Sequence, residues 1–268
     1  MPRLTILVVS DAPDYAFPHA AQDESRRLEL LEQRLDPLTK RRIGSLGIAE
    51  GARCLEIGGG RGSIARWLSD TVGPSGRVVA TDLQMGFLTG IDASNVEVLR
   101  HDLRTDTFPP SSFDLIHTRA VLMHISPSVD LLRRIASWLA PGGWLLLEEP
   151  DFGMWIDDAD PLWASGPRAN QAAFPNMALS QGRSLLRQIH QLDLTEVGAD
   201  AEVDIVQGGT ELAEFYQLSQ AALAGPKVEV GALSPAQAKA ITDRPGDDDF
   251  LACGFVHIGV WGRRLPNE

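Results

Sequence analysis

An apolar strand pattern that breaks into clustered glycines and resumes as a helix constrains this chain more than any other feature. It reads Cys54-Leu55-Glu56-Ile57-Gly58-Gly59-Gly60-Arg61-Gly62-Ser63. Glycines at such a junction permit a tight turn and let a ligand approach the main chain closely. No Gly-Lys-Ser/Thr follows, which excludes a Walker A phosphate loop. Gly60-Arg61-Gly62-Ser63-Ile64-Ala65 does fit the G-x-G-x-x-A dinucleotide pattern. Asp82 stands 20 positions beyond Gly62, at the end of the strand pattern Val78-Val79-Ala80-Thr81. A carboxylate there accepts hydrogen bonds from ribose hydroxyls, so the loop points to a nucleoside-bearing ligand.

Glu56 separates the ligands. It lies two positions before the first glycine, and its negative charge would repel a pyrophosphate in a partly desolvated site. A sulfonium and an ammonium group, as in S-adenosylmethionine, tolerate that neighbour. An NAD(P)-dependent oxidoreductase is the rival reading, but no Tyr-x-x-x-Lys pair follows the fourth strand. A non-catalytic partner subunit of the same fold is a third.

From Ala52 onward, apolar runs of strand length alternate with helix-length segments. The runs are Arg53 to Ile57, Arg77 to Thr81, Val96 to Leu99, Phe113 to His117 and Trp144 to Leu147. Helical spacing lies between them, over Ser63 to Thr71, Phe87 to Asp92 and Val129 to Leu139. Such alternation implies a mostly parallel sheet wrapped by helices on both faces. Two later strands are expected, Ala201 to Val206 and the Gly-rich Phe250 to Trp261. Before the loop, Leu28, Leu31 and Leu35 recur at helical spacing, with Pro37 and Gly44 bounding further short helical pieces. Residues 1–48 are read as a helical lid region and 49–268 as the α/β domain. Helical insertions are expected at about 151–190 and 210–245.

The formal net charge of −12 opposes approach to a phosphate backbone, so no nucleic-acid partner is expected; the pair Arg41-Arg42 reads as solvated surface. No apolar run approaches the ~20 residues that span a bilayer, no secretory signal is legible, and a cytoplasmic protein without a membrane partner is expected. Two cysteines, Cys54 and Cys253, are too few for a disulfide framework or a thiolate site, and the six histidines show no ligand spacing. No metal is expected.

At this point the chain resembles a class I, Rossmann-like S-adenosylmethionine-dependent methyltransferase. The resemblance is carried by pieces in order along residues 53–150: Leu55 to Gly62, Asp82, His101-Asp102-Leu103, Phe113 to Arg119, and Ala140-Pro141-Gly142-Gly143 before Trp144 to Leu147. Bacterial enzymes of natural-product and other small-molecule pathways are the most similar. They are matched by Arg119 to Ile125, by Glu148-Glu149-Pro150-Asp151, and by Tyr15, Glu24, Arg27-Leu28 and Gln33.

The resemblance implies a seven-stranded sheet with an antiparallel last strand, and ligands in the crevice beyond the carboxyl ends of the strands. Implied cofactor-binding residues are Tyr15, Arg27, Glu56, Gly58, Gly60, Gly62, Asp82, Leu83, Asp102, Leu103 and Arg119. Methyl transfer from a sulfonium needs alignment more than acid–base machinery, and no triad is expected. His124 and Glu149 are the candidate catalytic groups; each also reads as a pocket-shaping or strand-end residue. Asp151, Trp155, Trp163 and Phe174 are candidates for a substrate pocket, the aromatic ones equally for core. The expected reaction is methylation of a nitrogen or oxygen on a small, ring-containing molecule, with S-adenosylhomocysteine as co-product.

Overall fold

The computed structural model describes Phe17 and residues 23–266. Its centre is a seven-stranded sheet of β1 (Arg53–Ile57), β2 (Arg77–Asp82), β3 (Val96–Arg100), β4 (Phe113–Arg119), β5 (Leu139–Asp151), β6 (Leu194–Gln207) and β7 (Leu251–Arg264), in the order β3-β2-β1-β4-β5-β7-β6. Strands β1 to β5 pair in parallel and β7 runs antiparallel to both β5 and β6. This is the Rossmann-like sheet that the motif order implied, with the expected antiparallel final strand. The order reverses between β1 and β4, and the crevice opens there beyond the strand ends.

The central strands are apolar on both faces because both faces are covered. On one face α3 (Val129–Ser137) and α6 (Gln181–Gln188) bring Leu132, Ile135 and Leu185 onto Leu55, Ile116, Leu145 and Leu147. On the other, α1 (Glu24–Ser45) and α2 (Ser63–Val72) bring Ile43, Ile64 and Leu68 onto Cys54, Val78, Leu115 and Leu146. A third, aromatic cluster caps the strand ends. It is built by α4 (Gly153–Ile156), α5 (Pro161–Ala173) and α7 (Glu211–Ala222), and α8 (Ala224–Glu229) and α9 (Pro235–Asp243) pack behind it.

Local chemistry explains several boundaries. Ser128, Thr210 and Ser234 cap the starts of α3, α7 and α9 by accepting main-chain N–H groups, and Asp160 does so for α5. The residues between Phe113–Leu139 and Leu115–Trp144 fall out of register, so Ala140 to Gly143 form a bulge within β5 rather than a turn leading into it. Gly142 takes φ 80° there, a conformation glycine adopts at little cost.

Three expectations need correction. The N-terminal helix is a single 22-residue element that continues through Pro37. Burial of Leu35, Leu38 and Ile43 around that residue outweighs the ~3 kcal/mol that an interior proline costs. Phe87 to Asp92 contains only a 3-10 turn, Leu88–Gly90, in which Leu88 is fully buried. Strand β6 is far longer than Ala201 to Val206, because pairing with β7 rather than its own apolarity defines it.

Leu146 lies at the middle of β5 beside His117 and Trp261 and has no exposed surface. Its replacement by Ala should cost about 2–5 kcal/mol, read as a lowered urea midpoint with an unchanged denaturant slope.

Candidate active site

The glycine loop turns through left-handed backbone at Gly58 (φ 72°), Gly60 (φ 54°) and Gly62 (φ 82°). Gly58 and Gly59 donate their N–H groups to Thr81 O at 2.8 and 2.9 Å, and Gly60 N donates to Asp82 Oδ2 at 3.1 Å. Gln84 N donates to the other carboxylate oxygen, at 3.0 Å. Asp82 thus ties the loop to the end of β2, and each oxygen keeps a lone pair for a further donor. A Cβ on Gly58 would lie 2.1 Å from Val121 Cγ2, so loop and β4 exit approach as closely as they can only with glycine.

A large cavity opens over this loop. One side of it is lined by Gly58, Gly60, Asp82, Leu83, Asp102 and Leu103, which the sequence motifs assign to the cofactor. Arg104 grips the Asp102 carboxylate with two nitrogens and holds its pKa below the ordinary value. Gly62 does not reach the cavity wall: it is the residue at which α2 begins, and its role is to let the chain enter that helix. Tyr15 lies outside the described residues.

Glu56, Arg27 and Arg119 also line the cavity, each already engaged by protein. Arg27 donates twice to Glu24, at 2.7 and 2.8 Å, with its guanidinium 4.0 Å from the Phe17 ring centre. Arg119 donates to Thr39 and Asp36 of α1. Glu56 Oε2 lies 2.5 Å from His117 Nδ1, while the other ring nitrogen meets Glu148 Oε2 at 2.8 Å. Burial alone would favour neutral imidazole, but two carboxylates that can only accept outweigh it and push His117 up to about 9. His117 is therefore an imidazolium, its two N–H groups satisfied across three adjacent strands. Glu148, opposed by burial but held by His117, Arg42 and Arg119, is pulled down to about 2.

Arg42, expected at the solvated surface, is instead buried, paired with Glu148 and donating to Asp200 at 2.6 Å. Thr39 adds a hydrogen bond to Glu148 at 2.5 Å. Asp36, Thr39 and Arg42 share one helical face, and the spacing Asp36-x-x-Thr39-x-x-Arg42 between apolar residues is the signal that could have revealed them. Further along α1, Arg26 donates twice to Glu214 of α7, and Arg34 donates to Asp204, which also accepts from Tyr216 Oη at 2.9 Å.

His124 and Glu149 both line the cavity. Burial, then the Arg27 charge, pushes the His124 imidazole down to about 4, too weak a base at neutral pH. Burial raises Glu149 to about 7 against three main-chain donors. Val121 and Leu122 N–H share Glu149 Oε1 at 3.0 and 2.8 Å and Met123 N–H meets Oε2 at 2.9 Å, which leaves Oε2 a lone pair. Glu149 thereby holds the turn that presents His124.

The substrate-pocket candidates divide. Trp155 reaches the cavity, together with Phe152, Met177, Phe215, Tyr216 and Phe255. Trp163 stacks behind Trp155 at 4.3 Å with its indole N–H on Cys253 O, and Phe174 lies in the same aromatic core; neither lines the cavity. Asp151 is paired with Arg183 and caps Gly153 N, away from the cavity wall. Trp163 and Phe174 follow the core alternative, since packing against Trp155 and the cap helices already consumes their faces.

A methyltransferase-domain family matches residues 25–197, and the chain belongs to that family. Among curated relatives, it is 35% identical over 111 residues to the ubiquinone/menaquinone biosynthesis C-methyltransferase UbiE of Pseudomonas savastanoi, covering 38% of this chain and 43% of that one. It is 32% identical over 145 residues to methyltransferase str3 of Strobilurus tenacellus, covering 53% and 52%. The matched region spans about half the length of these relatives. Solved structures share the fold. A phosphoethanolamine N-methyltransferase 2 of Haemonchus contortus, bound to S-adenosylhomocysteine, aligns with a TM-score of 0.54 at 17% identity over 91% of this chain and 53% of that one. The [4+2]-cyclase SpnF aligns with a TM-score of 0.53 at 18% identity over 87% and 81%. The fold is that of the class I S-adenosylmethionine-dependent methyltransferases.

Imidazole-15N NMR should find His117 still doubly protonated at pH 8; a titration midpoint near 6.5 would refute the clamp. Because folding raises this pKa, its stabilisation is complete below about pH 6.5 and disappears as pH rises through about 9. Urea unfolding should show stability falling across that window, at up to ~1.4 kcal/mol per pH unit.

Proposed function

We propose that this protein transfers a methyl group from S-adenosylmethionine to a small, ring-containing acceptor bound under its aromatic cap. One observation carries the reading: the Asp82 carboxylate is fixed by Gly60 and Gln84 N–H groups at the exit of β2, with lone pairs left for a ribose on the cavity wall. Among the described residues, no helix is long and apolar enough to cross a membrane, which fits a ligand taken from solution.

The donor set fits that cofactor. Asp82, Leu83, Asp102 and Leu103 would hold its nucleoside, and Glu56, Gly58, Gly60, Arg27 and Arg119 its amino-acid end. When bound it supplies a methyl group on a sulfonium, which is already a good leaving group. The protein's part is then alignment and exclusion of water, and effective molarity from alignment supplies roughly 7–11 kcal/mol. Phe152, Trp155, Phe215 and Phe255 close the acceptor side with apolar surface. The weak basicity of His124 favours acceptors that are nucleophilic without a proton taken by that imidazole. Nitrogen and oxygen are the acceptor atoms expected from the sequence; the relation to a C-methyltransferase adds an electron-rich ring carbon.

A second reading rests on the likeness to SpnF: the fold hosts chemistry other than methyl transfer. Calorimetry separates the cases. S-adenosylhomocysteine should bind, Asp82→Ala should weaken it at least tenfold, and NAD⁺ should give no heat. Binding of NAD⁺ alone would overturn the proposal, and S-adenosylhomocysteine binding without turnover across an amine, phenol and quinol panel would favour the second reading.

A further inference from the structure

The cavity runs from the β1–β2–β3 side, where the glycine loop lies, to the β5–β7 side, where α5 and α7 form its far wall. Beside its apolar residues and Tyr216 and His257, that wall carries three polar side chains, Asn170, Ser219 and Gln220, which are 3%, 9% and 1% exposed. Asn170 Oδ1 and Ser219 Oγ are buried and have no hydrogen-bond partner among the described residues. Buried polar atoms without partners are rare and each asks for a ligand or an ordered water; leaving one unmade costs more than the bond normally contributes. Here the two residues that carry them line one cavity beside Trp155, Tyr216 and Leu223.

Gln220 sharpens the pattern. The Lys227 amine, buried in the cap behind the wall and pushed down to about 7 by that burial, donates to Gln220 Oε1 at 2.5 Å. With the oxygen engaged, the amide nitrogen is the other arm. The wall therefore offers a donor from Gln220, an acceptor from Asn170 and a hydroxyl on Ser219 that does either. No charged side chain is among these three, and Lys227 itself does not line the cavity.

We infer that Asn170, Ser219 and Gln220 form an acceptor-recognition subsite for a neutral hydroxyl or carboxamide carried on a flat apolar ring, remote from the atom that is methylated. Aromatic walls take the ring by area, and the three polar groups set its direction. Burial makes the subsite discriminate against charge, since an ionised group would lose its water without gaining a counter-charge. Ser219 and Gln220 lie on α7, beyond residues 25–197 that match the family, so this selectivity belongs to the chain's own cap. The inference rests on the proposed function for the word acceptor, but the subsite itself is testable without cofactor.

The experiment is a fluorescence titration of the full chain, with and without S-adenosylhomocysteine, using naphthalene, 2-naphthol, 2-naphthamide and 2-naphthoate. The naphthol and naphthamide should bind at least tenfold tighter than naphthalene, and naphthoate more weakly than either. Ser219→Ala should remove about two- to tenfold of that preference while leaving naphthalene binding unchanged. The isosteric Asn170→Asp should make 2-naphthylmethylammonium the preferred ligand. Thermal unfolding of each variant checks that the fold survives. Equal affinity for all four probes, or a preference untouched by both variants, would overturn the subsite and assign the unpartnered atoms to water alone. If S-adenosylhomocysteine fails to bind while the probe preferences hold, the methyl-transfer reading fails and the subsite stands.

Discussion

The imidazolium of His117 is the interaction on which the rest of the site depends. It sits on β4 between Glu56 of β1 and Glu148 of β5, so one cation satisfies a carboxylate on each neighbouring strand. Buried charges are tolerable only when paired and fully hydrogen-bonded, and removing one partner strands the others. Glu148 passes the constraint outward, to Thr39 and Arg42 of α1, and Arg42 passes it to Asp200 of β6. The helix that roofs the cofactor end is thereby referenced to the sheet through a chain of charges rather than by apolar packing alone. Glu56, the residue that argued for a sulfonium ligand, is held in place by the same cation.

Beside it, Glu149 performs a separate task from the next position in β5. Its oxygens collect three consecutive N–H groups of the turn after β4, fixing the segment that packs against Gly58. Two adjacent glutamates thus serve opposite faces of one strand: Glu148 anchors a helix and Glu149 anchors a turn. The alternation of side chains along a strand makes that division inevitable.

The fold was legible because its signal is local. The strand–glycine–helix junction, Asp82 at the next strand end and the alternation of apolar runs are all short-range, and the sheet follows from them. The loop side of the cavity was legible for the same reason. Arg42 and Asp36 were not: only their spacing with Thr39 sets them apart locally, and the partners of Arg42 lie 106 and 158 positions away. Trp163 and Phe174 were ambiguous because an aromatic residue near a cavity and one packed just behind it have the same sequence signature. The burial of His124 and the N–H groups that point at the Glu149 carboxylate are tertiary facts that no local pattern carries.

Helices α1 and α7 bound the cavity from its two ends and are fastened to each other. Arg26 grips Glu214, and Arg34 grips Asp204, which in turn holds Tyr216 of α7. A displacement of one helix pulls on the other. The two helices are therefore one latch, and loosening either set of ion pairs loosens both.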